Sequence, residues 1–382
     1  MRSADNVSWL ESLSPWPEEF GVARMRELLH ALGEPQRAFP AIHVVGSNGK
    51  TTTTRLAEAL LLGDGLAVGA YTSPHVLGWS ERVRVRGEEA DLEAALDRVR
   101  TPAENVGATQ FEALTAAAFT EFAAAEIEVA VVEAGLGGRH DATNVLRAPV
   151  VVLTNVALEH TDVLGATREE IAEEKLAVLS EGATAVLGEA EWEERARAHG
   201  AAAVVVAGAS NLALALAGVE SFLGRTVDVA AADDVVVPGR LEKVCSGENG
   251  DQSQSRLEIW DGAHNLAGVG WLLARLPSRR YVLVTSLLAD KDADGMLAAL
   301  SAVSDEILLT ASSNPRALRP RDLLPRAQRF FAEVQAVDDP AEALLLARER
   351  AGEGGAVLVT GSLYLLADLA PLRPEAPVPW RP

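Results

Sequence analysis

Short runs of Val, Ile, Leu and Ala, apolar at nearly every position rather than at alternate ones, recur along the whole chain. A strand that is apolar on both faces has to be covered on both faces. That condition is met by a parallel sheet whose crossovers are helices. The runs at 41–45, 67–71, 128–133, 149–154, 184–187 and 202–207 are therefore read as strands, and the stretches 50–62, 111–125 and 168–179 between them as helices. A second series of strands follows at 256–260, 280–285, 306–310, 332–337 and 356–360. Its helices carry their own punctuation, with Asp339-Pro340 as an N-cap and first helical residue and Gly352 as a stop. The expectation is an α/β protein with a mainly parallel sheet followed by a smaller Rossmann-like α/β domain.

A chain of 382 residues can bury two cores, and the division is expected between residues 1–236 and 237–382, with 231–240 as the hinge. The polar stretch 246–255 reads as a hairpin turn or exposed loop, and 371–382, with five prolines, as an irregular tail. The longest apolar stretches, such as 201–209, fall far short of the roughly 20 residues of a membrane helix, so no membrane partner is expected. The N-terminus shows no secretory h-region and Cys245 is the sole cysteine, which excludes an internal disulfide and suits a reducing cytoplasm. A formal net charge of -21 argues against a nucleic-acid partner. It does not argue against anionic small molecules, because backbone N–H groups, a few placed cations and Mg²⁺ create a local positive site on an acidic protein.

The sharpest local signal is Gly46-Ser47-Asn48-Gly49-Lys50-Thr51-Thr52, between a strand and a helix. Such a loop turns backbone N–H groups and a helix N-terminus toward phosphate. Lys50 then neutralises the β- and γ-phosphates, and a threonine hydroxyl reaches Mg²⁺. The strict eight-residue pattern needs glycine where Val44 stands, so this is a shortened variant. Glu133 ends one strand and His160 follows another, and strand ends of parallel sheets face the ligand crevice. A carboxylate is a natural Mg²⁺ ligand, whereas an imidazole taken alone is more often structural. Asp261-Gly262-Ala263-His264-Asn265 can present an acid and an imidazole after a second-series strand, but on its own reads rather as a capped polar turn.

Taken in order, these and other motifs resemble the folylpolyglutamate synthase/dihydrofolate synthase family of the Mur ligase superfamily. The resemblance runs from about Ser8 to Asp368 and includes Tyr71-Thr72-Ser73-Pro74-His75, Phe111-Glu112-Ala113-Leu114-Thr115, and Glu133-Ala134-Gly135-Leu136-Gly137-Gly138-Arg139. It continues through Asp141-Ala142-Thr143-Asn144, Glu159-His160-Thr161, Glu174-Lys175, Pro238-Gly239-Arg240, Asp290-Lys291-Asp292 and Thr360-Gly361-Ser362.

The resemblance implies an ATP- and Mg²⁺-dependent ligase, monomeric and cytoplasmic, whose substrates are ATP, L-glutamate and dihydropteroate or a folate. Gly46, Ser47, Asn48, Gly49, Lys50, Thr51 and Thr52 would hold the phosphates, with Asn211, Arg240 and Asp261 as further ATP contacts and His264 nearby. In the family the metal hydroxyl lies two places after the lysine, at Thr52 here, although general P-loops use the position of Thr51. Ser73, Glu133 and His160 would complete the coordination of two Mg²⁺ ions. Phe20, Gly21, Val22, Arg82, Thr109, Gln110, Phe111, Glu112, His140, Asp141 and Ala142 would contact the pterin.

Lys175 is a special case. An ammonium group has no lone pair for a metal. The family's answer is a carbamylated lysine, which offers anionic oxygen. Without the resemblance Lys175 reads as a helix-surface cation pairing with Glu170 or Glu174. Three features depart from the family pattern: Gly-Lys-Thr-Thr in place of Gly-Lys-Gly-Ser, His140 in a position usually held by leucine, and a short span from Lys175 to Asn211. They bear on substrate preference more than on ATP chemistry. The expected reaction is attack of a substrate carboxylate on the γ-phosphate to give an acyl phosphate and ADP, then capture by the glutamate amine. The alternatives are a Mur-type ligase acting on another carboxylate and a non-catalytic nucleotide-binding switch.

Overall fold

The computed structural model describes residues 6–245 and 256–373. The chain forms two compact units, Met1–Pro74 with Gly78–Val235, and His75–Leu77 with Val236–Pro382.

The first unit is built on an eight-stranded sheet. Its strands are β1 Ala41–Val45, β2 Val68–Tyr71, β3 Val83–Val85, β4 Glu88–Glu89, β5 Val129–Glu133, β6 Val150–Leu153, β7 Thr184–Leu187 and β8 Ala203–Val206, in the order β4-β3-β2-β5-β1-β6-β7-β8. All pairings are parallel except β2 with β3 and β3 with β4. The central strand sets the geometry of the site: Val44 pairs with Glu133 of β5, and Val45 with Leu153 of β6. Three strand ends are thereby level, and the loops leaving them open on the same edge.

Alternation of side chains feeds two cores from β1. Ile42 and Val44 pack with Leu60 and Leu61 of the helix Lys50–Gly63 and with Leu214 and Val219 of the helix Asn211–Leu223. Ala41 and Val45 join the opposite layer, with Leu28, Leu96, Phe119 and Ile171 from four other helices. Burial on both faces is what the uninterrupted apolar runs require. The expected strands appear with ends trimmed by a residue or two, while the antiparallel edge pair β3 and β4 was not anticipated. These two strands are three and two residues long and expose Glu88 and Glu89, so they carry no apolar run to read.

The second unit has a six-stranded sheet of β9 Glu242–Cys245, β10 Leu257–Trp260, β11 Val282–Thr285, β12 Glu306–Leu309, β13 Glu333–Ala336 and β14 Ala356–Thr360. Their order is β13-β12-β11-β14-β10-β9, with only β9 antiparallel to its neighbour. Leu283, Ile307 and Leu358 face one core, and Val284, Leu308 and Val359 the other, so this sheet too is covered on both faces. Asp339 caps the helix Pro340–Ala351, its carboxylate accepting from Glu342 N at 2.9 Å, and Gly352 ends it.

The expected hinge, 231–240, runs on from the turn Val229–Ala232 across the division between the units. The expected loop 246–255 and most of the tail lie outside the described residues, although Ala370–Leu372 forms a 3-10 turn. Among the described residues no helix is long and apolar enough to cross a membrane.

Candidate active site

The phosphate loop leaves β1 at Gly46 and enters the helix Lys50–Gly63 through Gly49, which has a left-handed φ of 84°. A β-carbon at Gly49 would stand 2.4 Å from Asn211 Oδ1, so the glycine admits Asn211 against the loop. The loop is braced from the end of β6: Ser47 N donates to Asn155 O at 2.9 Å, Asn48 N to Asn155 Oδ1 at 3.0 Å, and Thr154 Oγ1 to Asn48 O at 2.7 Å. Lys50 Nζ donates to Gly46 O at 2.9 Å and to Ser47 O at 3.2 Å.

Glu133 stands at the end of β5 and is buried. Its two oxygens are held from different elements, Oε1 by the Thr51 hydroxyl at 3.1 Å and Oε2 by Ser73 N at 3.0 Å. Thr51, Ser73 and Glu133 are thus one hydrogen-bonded group beside the loop. Of the two candidate hydroxyls, the one bonded to this carboxylate is that of Thr51. Among the described residues, no three His, Cys, Asp or Glu side chains gather as a metal cluster. The donor set is instead one carboxylate with hydroxyls next to a phosphate loop. This fits Mg²⁺, which takes few protein oxygens and fills its octahedron with phosphate and water. His160 follows in the loop after β6 with a left-handed φ of 46° and heads the short helix Thr161–Leu164.

Lys175 lies at the end of the helix Arg168–Leu176 and is 1% exposed. The surface-pairing alternative therefore does not hold: Glu170 closes the capping box of that helix with Thr167, and Glu174 pairs with Arg139 at 3.3 Å. Lys175 Nζ instead donates to Gly46 O at 2.9 Å and to Glu159 Oε1 at 3.1 Å. Burial drives its pKa down to about 8, against the pull of the Glu159 carboxylate. For Glu159 burial acts upward, but the charges of Lys175 and Lys50 prevail and bring it to about 2. Gly46, Ser47, Lys50, Glu159 and Lys175 are thus a second connected group. Glu159 received no role from the sequence, although its place beside His160 after a buried strand was the available signal.

The segments expected to meet a pterin are well ordered by their own chemistry. Thr109 and Glu112 form a reciprocal capping box at the head of the helix Gln110–Ala124, and Glu112 Oε2 also takes Arg24 Nε at 2.8 Å. Gln110 Nε2 donates to Leu10 O at 3.2 Å. Phe111 lies over Gly135, where a β-carbon would come within 2.6 Å of its ring. Arg82 stacks on Trp79 at 4.5 Å from the ring centroid. Phe20 is 47% exposed ahead of Gly21 and Val22, His140 is exposed, and Asp141 and Ala142 are buried.

In the second unit, Arg240, Asp261 and His264 come together at the end of β10. Asp261 Oδ2 accepts from Leu241 N at 2.7 Å and Oδ1 from Ala263 N at 2.8 Å. Its pKa is raised by burial, with the Leu241 and Ala263 N–H groups and the Arg240 charge opposing. Arg240 Nη1 donates to Gly239 O at 3.2 Å, and His264 Nδ1 to Gly262 O at 2.9 Å. Asn265 caps the helix Leu266–Leu273, accepting from Gly268 N at 2.7 Å.

Family models described as "Mur ligase middle domain" and "Mur ligase, glutamate ligase domain" match residues 44–232 and 239–363. The dihydrofolate synthase/folylpolyglutamate synthase of Mycobacterium tuberculosis is 34% identical over 396 residues, spanning 82% of this chain and 80% of that protein. The structure of E. coli FolC in complex with DHPP and ADP superposes with a TM-score of 0.85 at 29% identity, covering 97% of this chain and 98% of that one. A bifunctional folylpolyglutamate synthase/dihydrofolate synthase with Mn, AMPPNP and L-glutamate bound gives a TM-score of 0.84 at 29% identity, again over 97% and 98% of the two chains. With this identity over most of both sequences, the chain belongs to the dihydrofolate synthase/folylpolyglutamate synthase family of the Mur ligases.

Proposed function

We propose that the chain is an ATP-dependent carboxylate–amine ligase that adds L-glutamate to dihydropteroate, to folates, or to both, through an acyl phosphate, releasing ADP and phosphate. The observation that carries the reading is the pair of groups around Gly46–Thr51: a lysine-bearing phosphate loop tied to a buried second lysine, and a fixed carboxylate bonded to the loop's hydroxyl. Family membership supplies the substrate class, and relatives have been captured with ADP, a ligand named DHPP, and L-glutamate.

Lys50 and the loop N–H groups bind the triphosphate and orient its γ-phosphoryl group toward the acceptor carboxylate. Glu133 and Thr51, with Thr52, Ser73, His160 and, once carbamylated, Lys175, would hold two Mg²⁺ ions, which would offset the charge building on the phosphoryl oxygens. Asn211, Arg240 and Asp261 contact ATP, with His264 beside them. Phe20–Val22, Arg82, Thr109–Glu112 and His140–Ala142 hold the acceptor. The low pKa of Lys175 leaves part of it as neutral amine near neutral pH, the form that adds to CO₂ with loss of a proton to give the carbamate. The glutamate amine then attacks the acyl carbon and phosphate departs. The protein acts as a monomer in the cytoplasm.

Incubation with ATP, labelled glutamate and either dihydropteroate or tetrahydrofolate tests the reading. A labelled conjugate formed together with ADP and phosphate is expected; AMP and pyrophosphate, or ADP release indifferent to glutamate, would refute it. The ratio of the two acceptors assigns the substrate preference.

A further inference from the structure

The central strand β1 carries one polar side chain, His43, which is 1% exposed between Ile42 and Val44. Its Nε2 lies 2.8 Å from the Thr143 hydroxyl, and that hydroxyl lies 2.5 Å from Asp141 Oδ1. The Thr143 hydroxyl thus bridges the His43 imidazole and the Asp141 carboxyl group. Burial lowers the His43 pKa to about 4, so the imidazole is neutral near neutral pH.

The carboxylate at the end of this chain closes a loop. Asp141 Oδ1 also accepts from Thr143 N at 3.0 Å, and Oδ2 from Leu136 N at 2.8 Å. The Asp141 backbone adds N–H to Gly138 O at 3.1 Å and accepts from Asn144 N at 2.9 Å. The Gly135 N–H adds a fourth bond, so the roughly four acceptor sites of a carboxylate are filled from within the protein and the side chain ties its own loop together. If filling space were all that mattered, an apolar side chain would fit β1 without the desolvation cost of an imidazole. What His43 contributes is the hydrogen bond, and this bond joins two segments 100 residues apart.

We infer that His43 and Thr143 are positioning residues for the pterin-binding segment, holding Asp141, and with it His140 and Ala142, to the strand that also bears the phosphate loop. The inference rests on the proposed function, in which that segment receives the acceptor.

The test uses the full chain and four variants: T143V and H43L, which break the chain of bonds, and T143S and H43Q, which keep a hydroxyl or an N–H donor. Glutamate-dependent ADP release is measured against dihydropteroate concentration, and against tetrahydrofolate should that be the acceptor used, with ADP affinity determined by calorimetry. T143V and H43L should raise KM for the acceptor about tenfold or more while kcat and ADP affinity stay at the wild-type level, H43L losing one buried hydrogen bond and T143V two. T143S and H43Q should restore the wild-type KM. The inference is overturned by an unchanged acceptor KM in T143V, by ADP affinity falling in step with it, or by failure of T143S to rescue. Should H43L not fold, the two Thr143 variants decide. A wild-type enzyme inactive with every pteroyl acceptor would instead sink the functional reading, and this inference with it.

Discussion

Replacing Lys175 by Met keeps most of the side-chain volume and removes the charge, leaving Glu159 buried beside the phosphate loop without its nearest cation. Two estimates bound the cost. At 3.1 Å and an effective dielectric of about 20, Coulomb attraction is about 5 kcal/mol. The fall of the Glu159 pKa from 4.5 to about 2, to which Lys50 and the Ser47 hydroxyl also contribute, corresponds to about 3 kcal/mol, and the burial cost that lowers the Lys175 pKa to about 8 offsets part of it. Both agree with the roughly 3–5 kcal/mol lost when one partner of a buried pair is removed. The sign with pH follows. Because the folded pKa of Glu159 is depressed, its stabilisation is present above about 4.5 and is lost as pH falls toward 2. In K175M burial dominates and the Glu159 pKa rises, so acid relieves the orphaned carboxylate. Urea denaturation in bicarbonate-free buffer should show K175M less stable by about 3–5 kcal/mol at pH 7, with the gap from wild type narrowing below about pH 5. The double variant K175M/E159Q should recover much of the loss. A double variant no more stable than K175M, or a gap that does not change with pH, would refute the ion-pair account.

Three further predictions concern separate parts of the molecule. In G138A the new β-carbon would meet Glu174 O at 2.6 Å and Lys175 O at 2.8 Å, both backbone atoms that cannot swing aside. The helix Arg168–Leu176 must shift, at about 1–3 kcal/mol of stability by thermal unfolding and with loss of glutamate-dependent ADP release. T51V removes the hydroxyl bonded to Glu133 and should raise the Mg²⁺ concentration for half-maximal activity about 10–100-fold. T52V should shift it less, and the reverse order would move the metal hydroxyl to Thr52. In the second unit, Arg348 makes two hydrogen bonds of 2.8 and 2.9 Å to the fully buried Glu258. R348M should weaken hydrogen-exchange protection of β10 and β14 by about 3–5 kcal/mol and leave β1 and β5 unchanged.

The distinction between local and non-local chemistry explains what could be read in advance. A buried parallel strand declares itself through its own side chains, so Val129–Glu133 and Ala356–Thr360 stand out in the bare sequence, as does the glycine loop after Ala41–Val45. The edge strands β4 and β9 have one free side, and they and β3, next to the edge, are short and carry charged positions, so local pattern does not separate them from loops. Glu133 could be read as a Mg²⁺ ligand from its strand-end place alone, whereas roles for His160 and Lys175 came only from the family resemblance, because a lone imidazole or a helical lysine is ambiguous by itself.

Which groups neutralise one another was settled only by the tertiary structure. Lys175 meets Gly46 across 129 residues, Thr51 meets Glu133 across 82, and His43 meets Thr143 across 100. No run of neighbouring residues encodes these distances. They follow from the sheet order β5-β1-β6, which brings the loops after three buried strands to one edge. The sequence by itself determined that a covered parallel sheet with a phosphate loop would form, since apolar burial is the sum of each residue's own transfer free energy. The fold decided that Glu159 would be the counter-ion of Lys175 and Asp141 the brace of its own loop, since electrostatic and hydrogen-bond energies depend on separations that exist only once the sheet is assembled.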